Sequence, residues 1–451
     1  MKLLTAAATV VVALAGADAT PQPRTAGAVV LTGSRIVDAR AGAYRTGQAL
    51  LIRNGKIEAV GPVPDIRARA PRDATNIDLA GATLLPGLID AHAHLLDGME
   101  GAWRPGDAIV LTLTRLGAAR RALLGAQMAR EDLEAGVTSV RNLGHSGING
   151  DAALRDAIND GAVPGPRMLA ATRKITPPGG QAVVVQSDQP DQLIDQEFLQ
   201  VSGPEEARRA VRVAMANGAD VIKIVADDRG RVLDADEISA IVREAHRGGL
   251  KVAAHATTEI GIRAAVDGGV DSVEHGSRAT DELFTRMREK GIVLVPTFWG
   301  EQMYKDIYGP SLTPDERADI DRQVKVFADA TRATIARARR AGVKMVAGTD
   351  MWFRYPGKTR GEATVAVIAA MQDAGFSAPD VIRAATVDAA ELLGWADRVG
   401  TLEAGRFADV VALTGEPLAD AKELTKIQFV MKGGVVVRNE LTRATSSSAR
   451  R

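Results

Sequence analysis

A (β/α)8 barrel set into a small β-sandwich built from both chain ends is the fold this sequence predicts, and three observations predict it. Eight short apolar runs alternate with helix-patterned stretches through the middle of the chain. Turn-punctuated, strand-like segments lie at both ends. A length of 451 residues exceeds one common domain and suits a large barrel plus a smaller module.

Taken in order, residues 1–19 read as a cleaved signal peptide: Lys2, an apolar stretch from Leu3 to Gly16, then Ala17-Asp18-Ala19 as an A-x-A cleavage site. The stretch is short and alanine-rich against the ~20 strongly apolar residues that span a bilayer. No membrane anchor is therefore expected in the mature form, and a periplasmic or secreted location is. Residues 20–85 hold the runs AVVLTGSRIVD, QALLIRNGKIEAVG and TNIDLAGATLLP, with Asn54-Gly55 as a two-residue hairpin turn. Residues 398–441 have the same character, in ADVVALTG and IQFVMKGGVVVRN. These two segments are expected to pair into one sandwich, with 86–397 inserted as the catalytic barrel and 442–451 as a disordered tail.

Within the insertion, strands are expected to begin near Leu88, Val137, Arg167, Ala219, Leu250, Val270, Ile292 and Val343. Helical patterns such as Asp236–Arg247, Asp281–Lys290 and Asp319–Ala341 separate them. This alternation is the grammar of a parallel barrel. An open doubly wound sheet is the runner-up, but no glycine-rich phosphate loop follows an early strand. Barrel chemistry sits at the C-terminal ends of the strands.

Composition narrows the chemistry. The 56 Lys and Arg balance 56 Asp and Glu, which leaves no basic excess for nucleic acid or an anionic membrane. The partner expected is a small-molecule substrate. Cysteine is absent, excluding disulfides, thiolate nucleophiles and cysteine-based zinc sites. Any metal must be held by nitrogen and oxygen.

Such donors are present. In the run PGLIDAHAHL, His92 and His94 project to one face of the first strand, with Asp90 one step below. Imidazoles aimed at one point suit zinc and its neighbours. The fifth strand ends at His255, the sixth at His275 and the eighth, VKMVAGTD, at Asp350. Of six histidines, four thus fall on strand ends. Lys223 lies in the apolar fourth strand, where a buried ammonium is costly and would repel a cation. Burial lowers its pKa. A neutral amine can take up carbon dioxide as a carbamate, an anionic oxygen ligand able to bridge two metals.

His92, His94, Lys223, His255, His275 and Asp350 together resemble the ligand set of the amidohydrolase superfamily. PGLIDAHAH, VIKI, AAHA, VEHG, LVPT, AGTD and the closing AATVDAAELLGWADRVGTLEAGRFADVVAL occur in family order across nearly the whole mature chain. The branch that the chain is most similar to contains imidazolonepropionase-like proteins, prolidases and related dipeptidases. That resemblance implies two divalent ions, expected to be Zn2+. His92, His94 and Asp350 would hold one, His255 and His275 the other, with N-carboxylated Lys223 between them. It implies hydrolysis of an amide C–N bond by metal-activated hydroxide, with Asp350 as general base and then general acid.

The substrate is less legible. Phe298, Trp299, Tyr304, Tyr308, Trp352, Phe353 and Tyr355 crowd the loops after strands seven and eight. They read equally as a pocket wall and as loops packing on each other or forming a homo-oligomer interface. Arg173, Lys174, Arg229, Arg354 and Arg360 lie on the same face, and one of them could grip a carboxylate. Expected substrate contacts are His145, Arg173, Gln181, Trp299, Trp352 and Arg354. His246, late in a helix, reads as a dipole or surface partner. The features favour a dipeptide of X-Pro type or an N-acyl amino acid. Gln181 stands where many relatives carry a histidine, and Lys358-Thr359-Arg360-Gly361-Glu362 replaces a common histidine-glycine pair. A ring amidohydrolase, a deaminase and a non-enzymatic binding descendant are the alternatives.

Overall fold

The computed structural model describes residues 27–97, 108–182, 190–309 and 312–441; the expected signal peptide and the tail 442–451 lie outside the described residues. Apolar runs flanking Asn54-Gly55 fold into the hairpin Gln48–Arg53 and Lys56–Pro62. Both turn residues have positive φ, 51° and 77°, as a primed two-residue turn requires. Val29–Asp38 lies between this hairpin and the strand Thr75–Pro86. The returning chain then adds Val410–Leu413, Phe429–Lys432 and Val435–Asn439, with Val411 opposite Leu85.

The two chain ends thus share one eight-stranded sheet. The sandwich is this single sheet curled around its own filling, since Leu31, Leu50, Ile57, Leu84, Val410 and Phe429 belong to one buried cluster. Backbone bonds from Ile57 N to Arg406 O and Ala408 N to Gly55 O tie the hairpin to the returning chain. The short helix Val63–Arg69 inserts Ile66 against Val30, Leu51 and Ala59 on the other face.

Gly87 alone separates the strand ending at Pro86 from the first barrel strand, Leu88–Ala93. A Cβ at Gly87 would sit 2.1 Å from Thr138 Oγ1, so a side chain there would push the second barrel strand aside. The following strands are Val137–Asn142, Arg167–Ala170 with Lys174–Thr176, Val221–Val225, Lys251–Ala256, Ser272–His275 and Val293–Val295. Each starts within two residues of its expected position. The helix Asp281–Lys290 matches expectation at both ends, and Ala235–Arg247 is closed by an Asp234–Glu237 capping box. Among the described residues no helix is long and apolar enough to cross a membrane.

Two strands depart from regularity, and both departures shape the barrel mouth. The third breaks at Thr172, whose φ is 60°. Asp151 Oδ2 accepts the amides of Ala171 and Thr172, each at 3.0 Å. Past the break the strand leaves its second-strand partner and pairs with the fourth. The eighth, from Val343, makes isolated bridges rather than a continuous ladder. It closes the barrel through Val346 N to Leu294 O, Ala91 N to Ala347 O and Asp350 N to His92 O. Asp90 pins this seam, accepting from Thr349 N at 3.0 Å and Thr349 Oγ1 at 2.6 Å.

Candidate metal centre

The described non-glycine residues with positive φ, apart from Asn54 in the hairpin, are His145, Thr172, Arg229, His275, Thr297 and Asp350. All lie at or just past the C-terminal ends of barrel strands. A left-handed conformation costs a side-chain-bearing residue about 1–3 kcal/mol, and here that strain gathers around one cavity.

This cavity, about 180 Å³, is lined by His92, His94, Lys223, His255 and Asp350, and further by Asp97, His145, Lys174, Gln181, Asp228, Arg229 and Trp352. His275 stands directly behind, its ring 4.6 Å from that of His255 and 5.5 Å from that of His92. One donor atom each from His92, His275 and Asp350 lie within 4.8 Å of one another. The six residues singled out in the sequence are thus brought together.

Hydrogen bonds from beneath fix which nitrogen of His92 and of His94 faces the cavity. His92 Nδ1 is 2.8 Å from Glu274 Oε2 and must donate to it. In the neutral ring Nε2 then carries the lone pair, and it lies 3.3 Å from Asp350 Oδ1. His94 Nδ1 donates to Gly144 O at 3.1 Å, leaving its Nε2 3.0 Å from the same Asp350 oxygen. His275 Nδ1 is 2.8 Å from Thr297 Oγ1. Burial keeps three of the rings uncharged, depressing His94 to about 3, His275 to about 4 and His255 well below its ordinary value.

The result is a set of lone pairs facing a carboxylate oxygen at hydrogen-bond distance. Such contacts repel unless a cation joins them. Nitrogen and oxygen donors without sulfur suit a divalent metal of the zinc type, so the residues present fit a metal site. Lys223, 2% exposed, places Nζ 3.4 Å from His92 Nε2, and burial draws its pKa down to about 8.

Sequence reasoning missed the support beneath and beside these donors. Glu274 accepts from Arg141 Nη2 at 2.9 Å and Ser272 Oγ at 2.5 Å as well as from His92. Arg141 also donates to Ala91 O at 2.6 Å. Burial raises Glu274, but Arg141 and His92 outweigh it and keep the carboxyl well below its ordinary pKa. On the far wall a second buried chain runs from Asp97 to His145 Nδ1 at 3.3 Å, from His145 Nε2 to Lys174 Nζ at 2.8 Å, and from Lys174 Nζ to Gln181 Oε1 at 2.5 Å. A charged residue inside an apolar strand was the available signal for Arg141, the same signal that exposed Lys223.

Of the expected substrate contacts, His145, Gln181 and Trp352 line the cavity. The other three do not. Trp299 is 4% exposed, packs against Tyr304 and Phe353, and donates from Nε1 to Thr349 O at 2.6 Å. The aromatic loops pack mainly on each other, and Tyr308's side chain lies outside the description. Arg354 lines a separate groove with Tyr355 and Lys358. Arg173 turns away to Asp195 O at 2.7 Å. His246 is surface-exposed and bonded to Asp271 at 2.8 Å, as its helix-end position suggested.

A parallel barrel carrying nitrogen and oxygen donors at its C-terminal mouth defines a metal-dependent hydrolase class. The chain belongs to the Amidohydrolase family, whose model matches residues 83–437. The ochratoxinase of Aspergillus niger is 30% identical over 417 residues, covering 86% of this chain and 82% of that protein. Among solved structures, a Xaa-Pro dipeptidase with bound methionine in its active site has a TM-score of 0.76 at 27% identity, covering 91% of this chain and 100% of the other. A prolidase complexed with N-methylphosphonate-L-proline has a TM-score of 0.75 at 26% identity, covering 92% of this chain and 100% of the other. The protein is accordingly a metal-dependent hydrolase acting on C–N bonds.

Proposed function

We propose that the protein is an exported, binuclear amidohydrolase that releases an amino acid from a dipeptide of X-Pro type or from an N-acyl amino acid. In this reading His92, His94 and Asp350 would hold one divalent ion and His255 and His275 a second, both Zn2+, with N-carboxylated Lys223 as the ligand they would share. When bound, such a pair supplies a water of near-neutral pKa and polarises the scissile carbonyl. Asp350 takes the attacking water's proton and returns it to the departing amine. Glu274 and Gly144 hold His92 and His94 with the lone-pair nitrogen towards the cavity, and Thr297 anchors His275 at Nδ1. Trp352 lines the substrate cavity. The barrel 86–397 carries this chemistry, with 20–85 and 398–441 as the two parts of the sandwich domain. Export rests on the leader-like residues 1–19.

The observation that carries the reading is the facing of His92 Nε2 and His94 Nε2 onto one oxygen of Asp350. The Xaa-Pro dipeptidase and the prolidase among the similar solved structures support the substrate class. Lys223→Ala tests the metal arrangement. Metal content of the purified protein is expected to fall from about two ions per chain, and turnover across a panel of dipeptides and N-acyl amino acids to fall by about 10²-fold or more. Unchanged turnover with full metal content would sink the bridging role. Mass measurement of the mature protein tests export, with loss of residues 1–19 expected.

A further inference from the structure

Five cations were candidates for gripping a substrate carboxylate, and the structure separates them. Arg360 is buried and spends Nη1 on Met351 O at 2.6 Å. Arg173 and Arg354 face away from the cavity. Arg229 lines it but is already paired, 2.6 Å from Asp228 Oδ2. Lys174 remains, 1% exposed, on the cavity wall.

Its surroundings are unusual for a buried amine. Among the described residues Lys174 has no ion-pair partner; its hydrogen-bond partners are two neutral acceptors, His145 Nε2 at 2.8 Å and Gln181 Oε1 at 2.5 Å. An ammonium has three donors, so one is left for the cavity. The stem is held in place as well. A Cβ on Gly144, φ 91°, would lie 2.6 Å from Lys174 Cγ, so only glycine lets the lysine pass, and the same glycine's carbonyl orients His94. The strand break at Thr172 delivers the side chain to this wall. A buried amine is costly to keep charged when its direct partners are neutral and the nearest carboxylates, Asp97, Glu197 and Asp350, act only from a distance, and a site that keeps one beside a substrate cavity is suited to an anion.

We propose that Lys174 is the specificity-determining residue for an anionic substrate, donating its free N–H to the carboxylate of the bound N-acyl amino acid or dipeptide while His145 and Gln181 hold the other two protons. Burial draws the unliganded amine down to about 7, and an arriving carboxylate would draw it back up, so charge and substrate enter together. The inference rests on the substrate class of the preceding section.

The test compares N-benzoylglycine with its neutral amide, N-benzoylglycinamide, by calorimetry on the metal-loaded protein. The acid is expected to bind about 10- to 100-fold more tightly, as a charge-assisted hydrogen bond would give. Lys174→Met should weaken the acid to the level of the amide and leave the amide unmoved. Gln181→Glu, which retains the lysine but lays a carboxylate against it, should also weaken the acid alone. In turnover, Lys174→Met should raise the KM of acidic substrates with kcat unchanged. An acid preference that survives Lys174→Met, equal weakening of both compounds, or no preference in the unmodified protein would each overturn the proposal. If the metal-loaded protein turns over no dipeptide or N-acyl amino acid, the hydrolytic reading of the substrate fails instead, and the binding comparison still reads Lys174.

Discussion

The two walls of the barrel mouth are built from similar material and solve opposite problems. On one, the imidazoles of His92 and His94 face an oxygen of Asp350, with the Lys223 amine 3.4 Å from His92 Nε2, so the wall gathers more acceptors than donors. On the other, Asp97, His145, Lys174 and Gln181 form a hydrogen-bonded chain in which the buried Lys174 amine keeps one N–H for the cavity and has no ion-pair partner among the described residues. Both are buried, so neither can defer to solvent. The comparison teaches that burial of polar groups identifies a site only when their donors and acceptors are counted, because the imbalance names the missing charge. One wall calls for metal and the other for a carboxylate.

The largest effect should come from making the first wall self-sufficient. Asp350→Asn supplies an N–H that can donate to His94 Nε2, replacing a repulsive contact with a hydrogen bond. Metal-free protein should melt no lower than the parent and turnover should fall by about 10²- to 10⁴-fold, the usual worth of a positioned acid–base group. Thermal melting after chelation, together with steady-state kinetics, checks both halves. A variant that is inactive because it is unfolded would break the comparison.

Next in size is the support beneath that wall. Glu274→Gln removes the charge that Arg141 and His92 share, leaving a fully buried guanidinium uncompensated. A cost of about 3–5 kcal/mol is expected in denaturant unfolding, with metal affinity down about 10- to 100-fold as the orientation of His92 loosens. An unchanged unfolding midpoint would mean that Arg141 is satisfied by Ala91 O and Ser272 alone.

Why one wall was legible in sequence as a set, and the other only as separate candidates in His145, Lys174 and Gln181, follows from the same physics. A histidine, aspartate or lysine closing an apolar strand stands out because the strand fixes its direction, and the alternation of side chains fixes its face. The barrel itself was legible for the same reason. Lys174 stands out from no such pattern, because its direction is set by the break at Thr172, and that break depends on Asp151 from a neighbouring helix. The aromatic loops failed differently. Counting rings shows that apolar area must be covered, yet only the positions of Trp299, Tyr304 and Phe353 show that they cover one another. Adjacent Glu274 and His275 were read as one histidine, although the glutamate anchors His92 across the barrel.

The smallest effect is a slope, and it bears on the second wall directly. Burial lowers Lys174 from 10.5 to about 7. Between those values the unfolded chain binds a proton that the folded chain does not, so stability should rise with pH across that window, by at most about 1.4 kcal/mol per pH unit from one group. Below about 7 both states carry the proton and the contribution is flat. Lys432, buried in the sheet with Nζ on Gly165 O and likewise drawn down to about 7 by burial, contributes the same rise and is untouched by Lys174→Met. The difference between the two proteins in denaturant unfolding at several pH values above neutrality therefore isolates Lys174. If the variant keeps the full slope, the lysine is as protonated in the fold as out of it, its charge is already met, and the second wall lacks nothing.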